Sequence, residues 1–337
     1  MSVALLVDFK LRSDWPFLRR FASKHKVDCV SKVSNTPDFH TTRFGVLRRY
    51  YRYFIFPLKL VLKHPADWDC IVGWQQFHGL NYALWSSLLH RPKKERLIVM
   101  TFIYNPKHGL VGKIYHRYVK FCLSSGYVDR VVCFSSQECR TYAKQFGLPE
   151  SLFTSLELGI DATEGADIVP HKGTYVFSTG RSNRDYDFLV ESLGDSYNLR
   201  IACPEYTPAV QGGSHTLEVL DNCFGEAMLR EMADSLCVVI PLRDTAVSSG
   251  QLVVLQAMRM GKPVIVTEND TMPTYIDHGT TGFIVHKDKR QLLDTIRLLD
   301  SDKELYERIS RNQRAAFTAR FTEEALADRL SQVIDSL

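Results

Sequence analysis

The sequence predicts an α/β protein built from two doubly wound domains, and three observations carry that expectation. Its 337 residues are enough for two separate hydrophobic cores. Short apolar runs that suit buried parallel strands alternate with helical stretches in both halves. Between the halves, residues 162–173 are polar and rich in Gly and Asp, as an interdomain linker should be.

In the first half, residues 3–9 read as a buried strand that ends at Asp8, a candidate general base. A helix near residues 16–25 and a strand over 27–31 follow. The stretch from Arg43 to His64, RFGVLRRYYRYFIFPLKLVLKH, is basic, aromatic and apolar, and contains no acid. At 100° per residue Arg48, Arg52, Lys59 and Lys63 fall within about 60° of one another. Pro57 should kink such a helix or split it in two. Cations beside Tyr, Phe and Leu suit an interfacial segment on anionic lipid. A helix packed on the core with its cations in water is the other reading. Strands are expected over 69–73, 96–102, 130–134 and 152–158, with Ser135 capping a helix that runs to Phe146. His78, His108 and Tyr104 lie in loops or at helix starts after strands, so His78, Asp8 and Tyr104 stand as candidate catalytic side chains.

In the second half, strands are expected over 174–178, 198–202, 216–220 and 236–242, and helices over 225–235, 288–299, 303–317 and 322–336. The organising stretch is residues 248–267, SSGQLVVLQAMRMGKPVIVT. It reads as a small-residue loop, a buried helix, a stop at Gly261, then Pro263 and a strand. In an open α/β sheet that loop lies at the carboxyl edge of the strands, where ligands bind. Free amides and the positive end of the helix suit an anion such as a phosphate, and Ser248, Ser249 and Gly250 leave the backbone approachable.

This stretch resembles the donor-binding signature of retaining GT-B glycosyltransferases of the family 4 type, which reads Glu-Gly-Phe-Gly-Leu-x-x-x-Glu-Ala-Met and then Gly-Lys-Pro-Val. Ala257, Met258, Gly261, Lys262, Pro263 and Val264 match, while Ser248 and Gln256 stand at the two Glu positions. The resemblance implies two Rossmann-like domains facing a central cleft: residues 1–162 for the acceptor, joined by a terminal helix of about 320–337, and residues 163–319 for the donor. It implies a nucleoside diphosphate sugar, UDP-sugar favoured, as donor substrate, with no metal and no further cofactor. Gly180 and Arg181 match the family's Gly-Arg turn, and Arg184 stands near its second cation, so both arginines are assigned to the diphosphate. The amides at Ser249, Gly250 and Gln251 join them, Gln256 takes the ribose, Ser248 the sugar, and Asn222 lies in the loop near the base.

Composition sets the surroundings. Apolar residues make up 45% and charged residues 24% of the chain, ordinary values for a soluble globular protein. Asp8 interrupts the first apolar run, so no signal peptide is expected, and no stretch reaches the length of a membrane span. The eight cysteines form no C-x-x-C pair and read as reduced core residues of a cytosolic protein. A net charge of +4 hides a split: residues 1–150 hold 24 Lys and Arg against 10 Asp and Glu, the remainder 18 against 28. The first half therefore expects an anionic partner. An anionic membrane with a lipid-linked or glycan acceptor is favoured; nucleic acid is not, because no recognisable motif accompanies the charge. The chain is thus expected in the cytoplasm, at the inner face of the membrane. A catalytically silent sugar-nucleotide binder and a non-transferase GT-B enzyme, an epimerase or phosphorylase, are the competing readings.

Overall fold

The computed structural model describes residues 1–34, 42–63, 67–209 and 217–337. The chain divides into two compact units, Met1–Leu156 with Ala327–Leu337, and Glu157–Leu326. The sequence reading placed these boundaries at 162 and 319.

The first unit is a six-stranded sheet in the order β2-β1-β3-β4-β5-β6, and every pairing is parallel. The strands are β1 (Ser2–Val7), β2 (Lys26–Ser31), β3 (Cys70–Gly73), β4 (Arg96–Val99), β5 (Arg130–Cys133) and β6 (Phe153–Ser155). Helices α1 (Pro16–Ala22), α2 (Arg43–Lys63), α3 (Gln76–Leu88), α4 (Gly109–Ser124) and α5 (Ser136–Phe146) connect them. Ser135 caps α5, accepting from the Glu138 amide at 3.2 Å. Ala4, Leu6, Ile71, Leu97, Val99, Val131 and Cys133 share one core with residues of α2, α3, α4 and α5. Strands buried this thoroughly read as unbroken apolar runs, which is why the sequence displays them.

Pro57, expected to kink the basic segment or split it, lies inside the single helix α2, so of the two outcomes the split does not occur. A proline cannot donate to the carbonyl four residues earlier and disturbs the turn around it. Here α3 supplies the missing donor and a further bond to the next carbonyl. Asn81 Nδ2 donates to the Tyr53 carbonyl at 3.0 Å, and Trp85 Nε1 to the Phe54 carbonyl at 2.8 Å. His64, the last residue of the basic segment as read, lies outside the described residues, as does Thr216 at the start of the expected strand 216–220. No helix among the described residues is long and apolar enough to cross a membrane.

The second unit is also all parallel, in the order β12-β11-β10-β7-β8-β9. Its strands are β7 (Tyr175–Thr179), β8 (Asn198–Ala202), β9 (Leu217–Val219), β10 (Cys237–Ile240), β11 (Val264–Thr267) and β12 (Phe283–Val285). Its helices are α6 (Tyr186–Leu193), α7 (Glu226–Ala233), α8 (Gln251–Met260), α9 (Lys289–Ser301) and α10 (Lys303–Arg320). Alternate side chains feed two cores: Val238 and Ile240 join α7 and α8, while Cys237 and Val239 join α6 and α9. The chain then enters α11 (Glu323–Asp335), whose last turns belong to the first unit. There Asp328 meets Arg20 at 2.8 Å and Lys24 at 2.7 Å, and those two cations, Arg20 first, hold its carboxyl below the usual range.

Candidate functional site

In the second sheet the strand order reverses between β7 and β10, because the chain builds β8 and β9 on one side and β10 to β12 on the other. Such a reversal parts two neighbouring loops at the carboxyl edge and opens a crevice for a ligand. The loops concerned are residues 180–185 after β7 and 241–250 after β10. They are tied together by an antiparallel bridge between Arg184 and Leu242.

The first loop begins at Gly180, with φ 108°, a conformation that favours glycine. A Cβ there would come within 2.5 Å of the Arg184 guanidinium. Arg184 fills that space: Nε donates to the Thr179 carbonyl at 3.0 Å and Nη1 to the Ser182 carbonyl at 2.8 Å. It is buried, and burial lowers its pKa. Arg184 was expected at the diphosphate; here its guanidinium braces the turn. Arg181 stands outside the turn and exposed, 3.0 Å from the Glu205 carboxylate and 5.5 Å over the Phe224 ring.

Asn183, at φ 58°, joins the loops. Its Nδ2 donates to the Asp244 carbonyl at 2.8 Å and to Ser249 Oγ at 3.0 Å, and its Oδ1 accepts from the Asp244 amide at 2.8 Å. From the far side Asn269 Nδ2 donates to the carbonyls of Thr245 at 2.8 Å and Val247 at 3.0 Å. Thr267, at the end of β11, accepts from the Leu242 amide at 2.7 Å. These three holders escaped the sequence reading. Their signal was the short polar side chain beside a turn, which can replace backbone partners.

The second loop delivers the chain into α8 through Gly250, whose φ of 95° turns it into the helix axis. Ser249 is buried on Asn183, and Gln251 is buried with its Nε2 donating to Ser248 Oγ. No acid lies in the first turn of α8, so the partial positive charge of its opening amides stays uncompensated by the helix itself. Gln256 is half-buried further along α8. Asn222 is exposed in the turn after β9, with φ 54°. On the other side of the loops Asp185 caps α6 and meets Lys287 and, at 4.0 Å, Arg243. Burial works to raise the Asp185 pKa, but Lys287, the Phe188 amide and Arg243 outweigh it and hold the carboxyl ionised.

The candidate catalytic side chains belong to the first unit, and the structure places them in packed surroundings. His78 is fully buried between the Tyr53 ring at 5.6 Å and the Phe56 ring at 4.9 Å. Burial pushes its pKa down to about 4, so it is neutral at physiological pH. Asp8 is also buried and accepts from Tyr53 Oη at 3.2 Å, while Gln75 Nε2 donates to the same hydroxyl at 3.1 Å. Tyr104 is buried against Tyr115, with rings stacked at 5.2 Å, and lies 3.4 Å from His116 Nδ1. His78 and Asp8 thus gather around Tyr53, and Tyr104 packs in a separate aromatic group. His108 is exposed just before α4. Among the described residues no group of three or more His, Cys, Asp or Glu is placed to hold a metal ion.

Residues 187–302 match the family model described as glycosyl transferases group 1. No curated protein matches the chain. Among solved structures, HepE of Anabaena in complex with UDP and glucose aligns with a TM-score of 0.63 at 15% identity, covering 99% of each chain. HepE in complex with UDP-glucose aligns at 0.62 and 13%, covering both chains entirely. Sucrose-phosphate synthase from Thermosynechococcus elongatus aligns at 0.68 and 14%, covering 99% of this chain and 98% of the other. The fold is GT-B. Over residues 187–302 the chain is similar to glycosyl transferases group 1.

Proposed function

We propose that the chain transfers a sugar from a nucleoside diphosphate sugar, with a UDP-sugar as first choice, to a lipid-linked or polysaccharide-precursor acceptor at a membrane surface. One observation carries this reading: exposed Arg181 and the open start of α8 stand on the two loops that part at the strand reversal. A diphosphate seated there meets a guanidinium and the amides of Ser249, Gly250 and Gln251. The same groups stabilise the charge that grows on the diphosphate as the sugar leaves, without a metal. Gln256 takes the ribose, accepting from one hydroxyl and donating to another. Gly180 keeps the phosphate side of the turn narrow, Ser248 borders the sugar, and Asn222 borders the base. The UDP and UDP-glucose held by HepE of Anabaena support the choice of donor.

The membrane part of this reading, at the cytoplasmic face, is supported by α2. Arg48, Arg52 and Lys59 line one pocket of about 470 Å³ together with Lys32, a cluster suited to anionic headgroups. Retention of anomeric configuration belongs to the same reading, because His78, Asp8 and Tyr104 are all buried in packed surroundings.

A second reading, a silent binder of sugar nucleotides, is favoured by neutral Ser248 and Gln256 at positions where the resembling family carries Glu. Release of UDP from a panel of UDP-sugars, with and without membrane lipid extract, separates the two. Sustained release supports the transferase; saturable UDP binding with no release from any sugar assigns the chain to silent binding.

A further inference from the structure

Between α2, the start of α3 and α4 of the first unit lies a groove of about 470 Å³, within the range of small-molecule sites. Its lining is largely ring and aliphatic carbon, from Tyr50, Phe77, Ile103, Val111, Ile114 and Tyr115, with Lys107 and Asn105 among its few polar groups. Two more of its tyrosines spend their hydroxyls inside the protein: Tyr118 donates to Asn81 Oδ1 at 2.9 Å and Tyr53 to Asp8. These two offer the groove their rings, not their hydroxyls. Exposed apolar side chains stand at the groove, Val111 and Ile114, and elsewhere on its helices, Leu110 and Leu47. Leu110 is 73% exposed, Val111 69%, Ile114 60% and, on α2, Leu47 67%. Leu110, Val111 and Ile114 lie within about one turn of α4, and exposed apolar side chains gathered in this way mark an interaction site.

Charge states what kind. Helices α2, α3 and α4 contain no Asp or Glu, and neither does the loop 103–108 before α4. The α2 helix carries six Lys and Arg, α4 carries three, and Lys107 adds one at the groove itself. Among the groove's lining residues Lys107 is the one charged side chain and none is acidic, so the groove is complementary to an apolar chain that ends in an anion. We propose that this groove takes the hydrocarbon chain of a phosphate-bearing lipid, with Lys107 meeting the phosphate. The proposal rests on the membrane-acceptor reading above and deepens it. It names an amphiphilic lipid phosphate as the acceptor's class, and it makes α4, not α2 alone, part of the membrane face.

The test titrates the purified chain with decyl phosphate below its micellar concentration, with decanol, and with inorganic phosphate. Decyl phosphate should bind saturably, decanol at least about tenfold more weakly, and phosphate alone without measurable heat. Ile114→Glu, at an exposed position, should weaken decyl phosphate by at least about tenfold and leave UDP affinity unchanged. Non-saturable decyl phosphate, or equal affinity in Ile114→Glu, overturns the proposal, as would decanol binding as tightly as decyl phosphate. Sedimentation with vesicles of phosphatidylglycerol and phosphatidylcholine keeps this apart from the reading beneath it. Vesicle binding without decyl phosphate binding overturns the groove alone. Decyl phosphate binding without vesicle binding upholds the groove and removes the membrane surface.

Discussion

Lys262 carries its ammonium into the interior of the second unit, where it donates to the carbonyls of His171 and, at 2.7 Å, Ser235, and lies 3.3 Å from Tyr306 Oη. Burial pulls its pKa from 10.5 down to about 8, against the weaker pull of Cys237 and Asp234. The sign follows from proton counting. The folded chain releases this proton first, so between about pH 8 and about 10.5 the unfolded chain binds more protons and the residue's contribution to stability rises with pH. That contribution is lost as pH falls through 8. Lys262→Met, which cannot titrate, should therefore lose ground to the unmodified chain across this window, by up to about 1.4 kcal/mol per pH unit. Denaturant unfolding of both chains at several pH values measures it; a stability difference independent of pH contradicts the assignment. Sequence showed Lys262 only as part of a Gly-Lys-Pro stop. Its burial, like that of His78 and the inward turn of Arg184, depends on neighbours far along the chain. Gly180 and Arg184 are four residues apart, yet only the φ of 108° shows that one makes room for the other.

Residues 248–267 were legible because their punctuation is local. Gly250 opens α8, Gly261 closes it at φ 66°, and β11 begins at Val264 after the proline. That α2 runs through Pro57 unbroken was not legible because its remedy is not local: Asn81 lies 28 residues beyond the Tyr53 carbonyl that it serves. Asn81 is buried, and its Oδ1 also accepts from Tyr118. Asn81→Leu should leave the Tyr53 carbonyl without that donor and destabilise the chain by about 1–3 kcal/mol. An unfolding midpoint equal to that of the unmodified chain would show that α2 tolerates Pro57 without help from α3.

At the scale of the whole chain, strand content and the doubly wound plan were visible in apolar runs, and the charge split was visible in a count. The strand reversal was not, since strand order is a property of long-range pairing. It is the reversal between β7 and β10 that brings the Arg181 turn and the start of α8 to one crevice. The central claim, that a nucleoside diphosphate seats there, is tested most directly by calorimetric titration of UDP into the unmodified chain and into Arg181→Ala. Arg181 is exposed and its ion pair with Glu205 is at the surface, so the substitution should spare the fold. The account predicts saturable UDP binding that weakens by about 1.5–3 kcal/mol in Arg181→Ala, the range for a hydrogen bond to a charged group. Equal UDP affinity in a folded Arg181→Ala chain would contradict it.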